Sequence, residues 1–176
     1  DVDRYKCTPS RWIKLGVPGV KYKDSDTYSK SKILVRKTGI GIKACIDESG
    51  AYTNQVVYQF SINNTHSVPK FYLHYLLGVM SSRLICAYDL KKRGETEWRS
   101  HPYLTKTDLI SLPIPQIGQG TKEWDRAKRI ASLAKELNDG ASNQSTKKES
   151  VDLKLEREVA LLYGLNVSDL EWALRV

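Results

Sequence analysis

Hydrophobic and polar residues alternate along two stretches in the first third of the chain. Ile40, Ile42, Ala44 and Ile46 alternate with Gly41, Lys43 and Cys45, and Val56, Tyr58, Phe60 and Ile62 alternate with Val57, Gln59 and Ser61. A period of two predicts half-buried strands, and a third strand is predicted over Lys32 to Lys37. Lys37-Thr38-Gly39 and Asp47-Glu48-Ser49-Gly50 are short polar connections in which glycine can supply positive φ. These pieces predict a small antiparallel meander with one aliphatic and aromatic face. Its other face and its turns carry Arg36, Lys37, Thr38, Lys43, Asn54, Gln55 and Gln59, side chains that reach phosphates and base edges.

The pattern then becomes helical. Tyr72, Leu73, Leu76, Leu77, Met80, Leu84, Ile85 and Tyr88 leave little polar face between Phe71 and Tyr88, which predicts one helix buried against the sheet. Gly78 and the Ser81-Ser82 pair are small enough to admit another element closely, and His74 reads as a core or interface residue. Thr107 to Pro115 reads as a last strand closed by prolines. From Glu123 the spacing of Ala127, Ile130, Ala131, Ala134 and Leu137 predicts an amphipathic helix over Lys122 to Leu137. Asn138 to Ser150 reads as a flexible linker, and Val151 to Tyr163 as a helix stopped at Gly164. A short final helix is predicted from Ser168, with Glu171 at the capping-box position. Residues 1 to 31, punctuated by Gly16-Val17-Pro18-Gly19 and ending in a polar run, read as an exposed loop that leads into the first strand, either a DNA-approaching arm or a plain surface connection. The expected fold class is α+β: a twisted, mostly antiparallel sheet packed on a buried helix, with a helical C-terminal extension. Four segments follow, 1–115, 116–137, 138–150 and 151–176.

Charge sharpens this division. The 176 residues carry a net charge of +8, yet residues 1–115 hold 18 Lys and Arg against 10 Asp and Glu, whereas residues 116–176 hold 10 against 10. All the excess lies in the first part, as expected of a polyanion-binding surface, or of a merely basic solvated one. Cys7, Cys45 and Cys86 are too few and too scattered for a disulfide framework or a CxxC metal site, which suits a reducing cytoplasm. No apolar run reaches membrane-spanning length. A chain beginning at Asp1 is expected to be a piece of a longer protein.

Catalytic patterns are sparse. Gly39-Ile40-Gly41 is too short for a nucleotide loop, and there is no D/N-P-P-Y/F motif. Asp89-Leu90-Lys91 is the nearest approach to a metal-nuclease signature, but it lacks a partner carboxylate on a preceding hairpin, and Asp89 reads as a helix-end residue. Lys91-Lys92-Arg93-Gly94-Glu95-Thr96-Glu97-Trp98-Arg99 reads as a basic loop whose cations would meet phosphates, with Trp98 either stacking on nucleic acid or tucked into the core. The chain reads as a binding module without a catalytic site.

Four stretches in order, Lys32 to Gly39, Tyr52 to Tyr58, Tyr75 to Ile85 and Asp108 to Pro115, resemble the TaqI-like C-terminal specificity domain. This is the DNA target recognition domain of bacterial restriction–modification methyltransferases, similar also to the recognition halves of type I specificity subunits. Leu161 to Leu165 resembles the tail that closes such proteins, and Met80-Ser81-Ser82 stands where many relatives have Leu-Asn-Ser. The resemblance implies that residues 1–115 read a short duplex sequence and present it to a methyltransferase, in fused enzymes also to a nuclease. It implies no cofactor for this chain, and S-adenosylmethionine for the methyltransferase domain or subunit. The candidate DNA-binding residues are Lys30, Lys32, Arg36, Lys37, Thr38, Lys43, Asn54, Gln55, Lys91, Lys92, Arg93 and Arg99, with Asn54 and Gln55 suited to adenine. Two other readings stay open: a protein-interaction subunit that docks a partner through its helices, and a nuclease using Asp89 and Lys91. The charge split predicts separable parts, such that a chain lacking Gln116 to Val176 still binds DNA while losing its hold on the methyltransferase.

Overall fold

The computed structural model describes residues 1–9, 11, 13–18, 24–62, 68–93, 103–140 and 145–166. Strands β1 (Val2–Asp3) and β2 (Lys6–Cys7) pair as a hairpin about Arg4 and Tyr5. Tyr5 has φ 58, a left-handed conformation that is costly for an aromatic residue, and the cost is offset because its ring is buried in the main core. The exposed loop expected over residues 1 to 31 therefore begins as a packed hairpin. A one-turn helix, α1 (Ser25–Ser29), also interrupts it, with Tyr28 buried and stacked on Tyr52 at 3.9 Å between ring centroids.

Strands β3 (Lys32–Arg36), β4 (Ala44–Asp47) and β5 (Val57–Phe60) form an antiparallel sheet in the order β4-β3-β5. A meander would place β4 in the centre; β3 is there instead. The outer edge of β4 is already satisfied. The Tyr5 N–H donates to the Ala44 carbonyl (2.7 Å), and the Asn138 amide accepts from the Ile46 N–H (2.8 Å) and donates to the Ile46 carbonyl (3.3 Å). The open edge belongs to β3, where β5 docks with Val35 opposite Tyr58 and Arg36 opposite Val57.

Strands β3 and β4 are buried on both faces, whereas β5 is half-buried, as expected. Ile33, Val35, Ala44 and Ile46 face the main core, while Leu34 and Cys45 pack under Val2, Cys7 and Val57 on the other side. The N-terminal hairpin covers the face that the alternation alone would have left to solvent.

The helix expected over Phe71 to Tyr88 is two helices, α2 (Tyr72–Met80) and α3 (Arg83–Lys92). Ser82 breaks the run: it is extended (φ -66, ψ 148) and its hydroxyl accepts from the Ile85 N–H, restarting the chain as a new N-cap. The strand expected over Thr107 to Pro115 is also corrected. Thr105 and Asp108 form a reciprocal capping box that starts a short helix, α4 (Lys106–Ile110), before the prolines. Tyr75 and Tyr163 hydroxyls then donate to the Pro115 and Pro113 carbonyls, 2.8 and 2.7 Å away.

Helix α5 (Lys122–Asn138) lies on α2, and Gly78 sets their separation. A Cβ at Gly78 would come within 2.7 Å of Ile130 Cγ2 and 3.2 Å of Ala134 Cβ. Helix α6 (Ser145–Leu162) packs on α5 and starts inside the expected linker, so Ser145 to Ser150 are helical. Its carboxylates reach back across the chain. Glu156 accepts the Arg83 N–H on both oxygens (3.0 Å each), capping the start of α3, and pairs with Arg4 at 2.6 Å. Asp152 joins Arg4 and Arg83 at 2.8 and 3.0 Å. Ile130, Ala134, Leu155 and Val159 consequently share one core with the sheet residues Ile33, Val35 and Ile46. The fold is α+β, as expected. The helix expected from Ser168 lies outside the described residues.

Candidate nucleic-acid interface

The C-terminal end of β3 gathers three segments. The Lys37 N–H donates to the Val56 carbonyl (2.9 Å), the Leu104 N–H donates to the Lys37 carbonyl (2.7 Å), and Thr38 forms a lone bridge with Tyr103. Arg36, Lys37 and Thr38 are therefore held beside the 54–56 turn and beside Tyr103. Asn54 and Gln55 are exposed there. The Asn54 side-chain oxygen Oδ1 accepts from the Val56 N–H at 3.2 Å, which makes the turn and holds the side-chain amide in it. Lys37 Nζ rides 4.3 Å over the Tyr58 ring, and the Arg36 guanidinium, half-exposed, is 3.4 Å from the Thr38 hydroxyl.

A second basic element lies at the end of α3. Lys91 and Lys92 close the last turn of α3, where cations suit the helix dipole, so the basic run begins on a helix and not in a loop. Lys92 donates to the Ser111 hydroxyl (3.0 Å) beyond α4 and lies 5.8 Å over the Tyr88 ring. Tyr103, Tyr88 and Val56 are exposed among these cations. The combination of mobile charge, exposed ring faces and amide groups can meet phosphates, sugars and base edges together. Tyr58 lies within the expected alternating strand, but its place under Lys37 follows only from the pairing of β5 with β3. Tyr103 had no local signal, because only the Thr38 bridge brings it here.

Other candidates are placed elsewhere. Lys32 is fully buried; its ammonium pairs with Asp47 and donates to the Tyr28 carbonyl at 2.6 Å, so it is not a DNA contact. Arg93 is folded back onto Asp89 at 2.6 Å and is mostly covered, so it orders the end of α3. Lys30 is exposed but precedes β3, at the strand's opposite end from Arg36. Lys43 pairs with Asp3 at 2.7 Å on the hairpin side. Its hydrogen bond, with that from the Arg4 N–H, holds the Asp3 carboxyl below the usual range. Gln59 is half-buried and donates to the Thr53 hydroxyl. Arg99 and Trp98 lie outside the described residues.

Asp89, the candidate nuclease carboxylate, is buried one turn before the end of α3 with Arg93 as its ion pair, while Lys91 is exposed. Among the described residues no group of three His, Cys, Asp or Glu side chains could hold a metal. His74 is partly buried on α2, and burial together with nearby Lys135 lowers its pKa. No helix among the described residues is long and apolar enough to cross a membrane.

The family model of the TaqI-like C-terminal specificity domain matches residues 1–114. The chain belongs to this family. A search of curated proteins found no match. The matched part of this TaqI-like specificity domain contains both sheets, helices α1 to α4 and the whole basic end of β3. The family is that of the specificity domains of restriction–modification enzymes. Helices α5 and α6 fall beyond the match, although they pack into the same core.

Proposed function

We propose that the chain binds double-stranded DNA sequence-specifically as the target recognition domain of a restriction–modification methyltransferase. The observation that carries this reading is the gathering of Arg36, Lys37 and Thr38 beside Asn54 and Gln55 at one end of the sheet, with Lys92 held on Ser111 beyond α4, all inside the family-matched residues. In this reading Lys37, Arg36, Lys91 and Lys92 hold phosphates, and Asn54 and Gln55 read base edges. The chain supplies no catalytic group; its partner is a methyltransferase domain or subunit in the cytoplasm, which holds S-adenosylmethionine. The exposed Leu153, Arg157 and Leu161 stripe on α6, at i, i+4 and i+8, supports α6 as a docking helix for it.

The test is duplex binding by the chain carrying Lys37→Glu and Lys92→Glu. Each phosphate left without its cation should lower the slope of log affinity against log salt by about 0.9, and affinity at low salt should collapse while the thermal melt is retained. Asn54→Ala and Gln55→Ala should instead relax discrimination between bases by about 1–3 kcal/mol. A folded double charge reversal with unchanged affinity would refute the interface.

A further inference from the structure

We infer that the chain carries a second phosphate site, next to the end of β3, in a cavity of about 200 Å³ where the N-terminal hairpin meets the start of α3. Arg4 comes from the hairpin turn, Lys43 from the residue before β4 and Arg83 from the first turn of α3, so three distant segments each bring one cation. No carboxylate lines the wall.

The counter-charges stand outside the cavity. Asp152 and Glu156 grip Arg4 from α6, Asp152 also holds Arg83, and Asp3 holds Lys43. These carboxylates fix the cations in place in advance of any ligand, which lowers the ordering cost of binding. Arg4 spends its guanidinium on Asp152, Glu156 and the Ser81 carbonyl and acts as a fixed charge. Arg83 engages Asp152 through one nitrogen and is 37% exposed, and Lys43 is 36% exposed, so both have N–H groups to offer. The remaining wall is rigid. The Ile40–Ile42 loop lies against α3, where the Ile42 N–H donates to Cys86 Sγ at 3.3 Å and Gly41, at φ +67, leaves 3.4 Å between its absent Cβ and that sulfur. Beneath it the Ser81 hydroxyl is buried without a hydrogen-bond partner among the described residues.

A planar guanidinium and an ammonium converging on a small cavity suit the tetrahedral oxygens of phosphate. Its position indicates the source. Lys43 is backbone-paired to Arg36, whose N–H donates to the Lys43 carbonyl at 2.9 Å, so a duplex on the end of β3 would bring its backbone past the cavity. The assignment to DNA backbone rests on the proposed function; the affinity for phosphate does not.

The experiment uses the whole chain. Amide resonances of Ile42 and Arg83 are followed by NMR during titration with inorganic phosphate, and duplex affinity is measured against salt for the wild type, Arg83→Gln, Lys43→Gln and Arg83→Lys. Saturable phosphate shifts are expected in the wild type, diminished in either glutamine variant and kept in Arg83→Lys. Each glutamine variant should lower the salt slope by about 0.9. Phosphate shifts with an unchanged slope would support the site with free phosphate as its source. A wild type that binds phosphate here but no duplex would sink the proposed function and leave this site standing. Folded Arg83→Gln and Lys43→Gln chains with the wild-type slope, together with no phosphate shift in the wild type, would overturn it.

Discussion

Lys32 and Lys37 border the same strand and have opposite fates. Lys32 points between α1 and β4 into a buried pair with Asp47, and Lys37 leaves the strand end and lies over the half-buried Tyr58 ring. Burial works against the Asp47 carboxylate, but hydrogen bonds from Lys32, Ser49 and Ala51 outweigh it and hold its pKa below the ordinary value. A carboxyl with a depressed folded pKa contributes stability above the ordinary carboxylate range and loses it as pH falls through the lowered value. Lys32→Met strands the buried anion and is expected to cost about 3–5 kcal/mol in urea denaturation at neutral pH, and less in acid, where Asp47 is neutral. Lys37→Met should cost under about 0.5 kcal/mol and reveal itself only in duplex binding. Equal stability losses for the two would contradict these placements.

At the scale of elements, small polar and small apolar residues decide where helices start and how closely they pack. Ser82 and Thr105 each turn an apolar run into a helix start by accepting a backbone N–H, which is why one long helix became two and a proline-closed strand became α4. Gly78 acts between elements. An alanine there would gain up to about 1 kcal/mol of helix propensity, yet its Cβ would press on Ile130 of α5. Gly78→Ala is expected to destabilise by about 1–3 kcal/mol net. In a double-mutant cycle with Ile130→Ala the two losses should sum to more than the double mutant's, since the offending methyl is gone. Strict additivity, measured from urea midpoints, would show that the contact does not set the helix separation.

For the whole molecule, charge and core divide the chain differently. The basic excess stops before residue 116, as does the family match at residue 114, which suggests a recognition unit that could be cut free. The packing opposes the cut. Removing residues 116–176 strips α5 from Gly78, takes Asn138 from the edge of β4 and leaves Arg4 and Arg83 without Asp152 and Glu156. The expectation is that residues 1–115 alone lose cooperative folding, seen as a missing thermal transition and collapsed amide dispersion, and that DNA binding disappears with it. A cooperative melt with retained duplex affinity would restore the separable arrangement that charge alone predicts.

The sequence by itself determined the strands β3 to β5, the run of α2, the amphipathic α5, the glycine at a close approach and the basic character of the first part. These follow from periodicity and composition, which act within a few residues of each position. Only the tertiary structure decided that β3 is central, that Lys32 and Arg93 are spent on internal ion pairs, and that Tyr103 stands beside Thr38. A strand's alternation states that it has two faces but not what covers the second; here the N-terminal hairpin covers Leu34 and Cys45, and its Arg4 reaches Ser81, 77 residues away, and Glu156, 152 residues away. Likewise a lysine's identity is the same whether a carboxylate fifteen positions away neutralises it or water does. Contacts between segments distant in the chain carry that choice, because burial and pairing energies depend on what surrounds a charge and leave no trace in its neighbours along the chain.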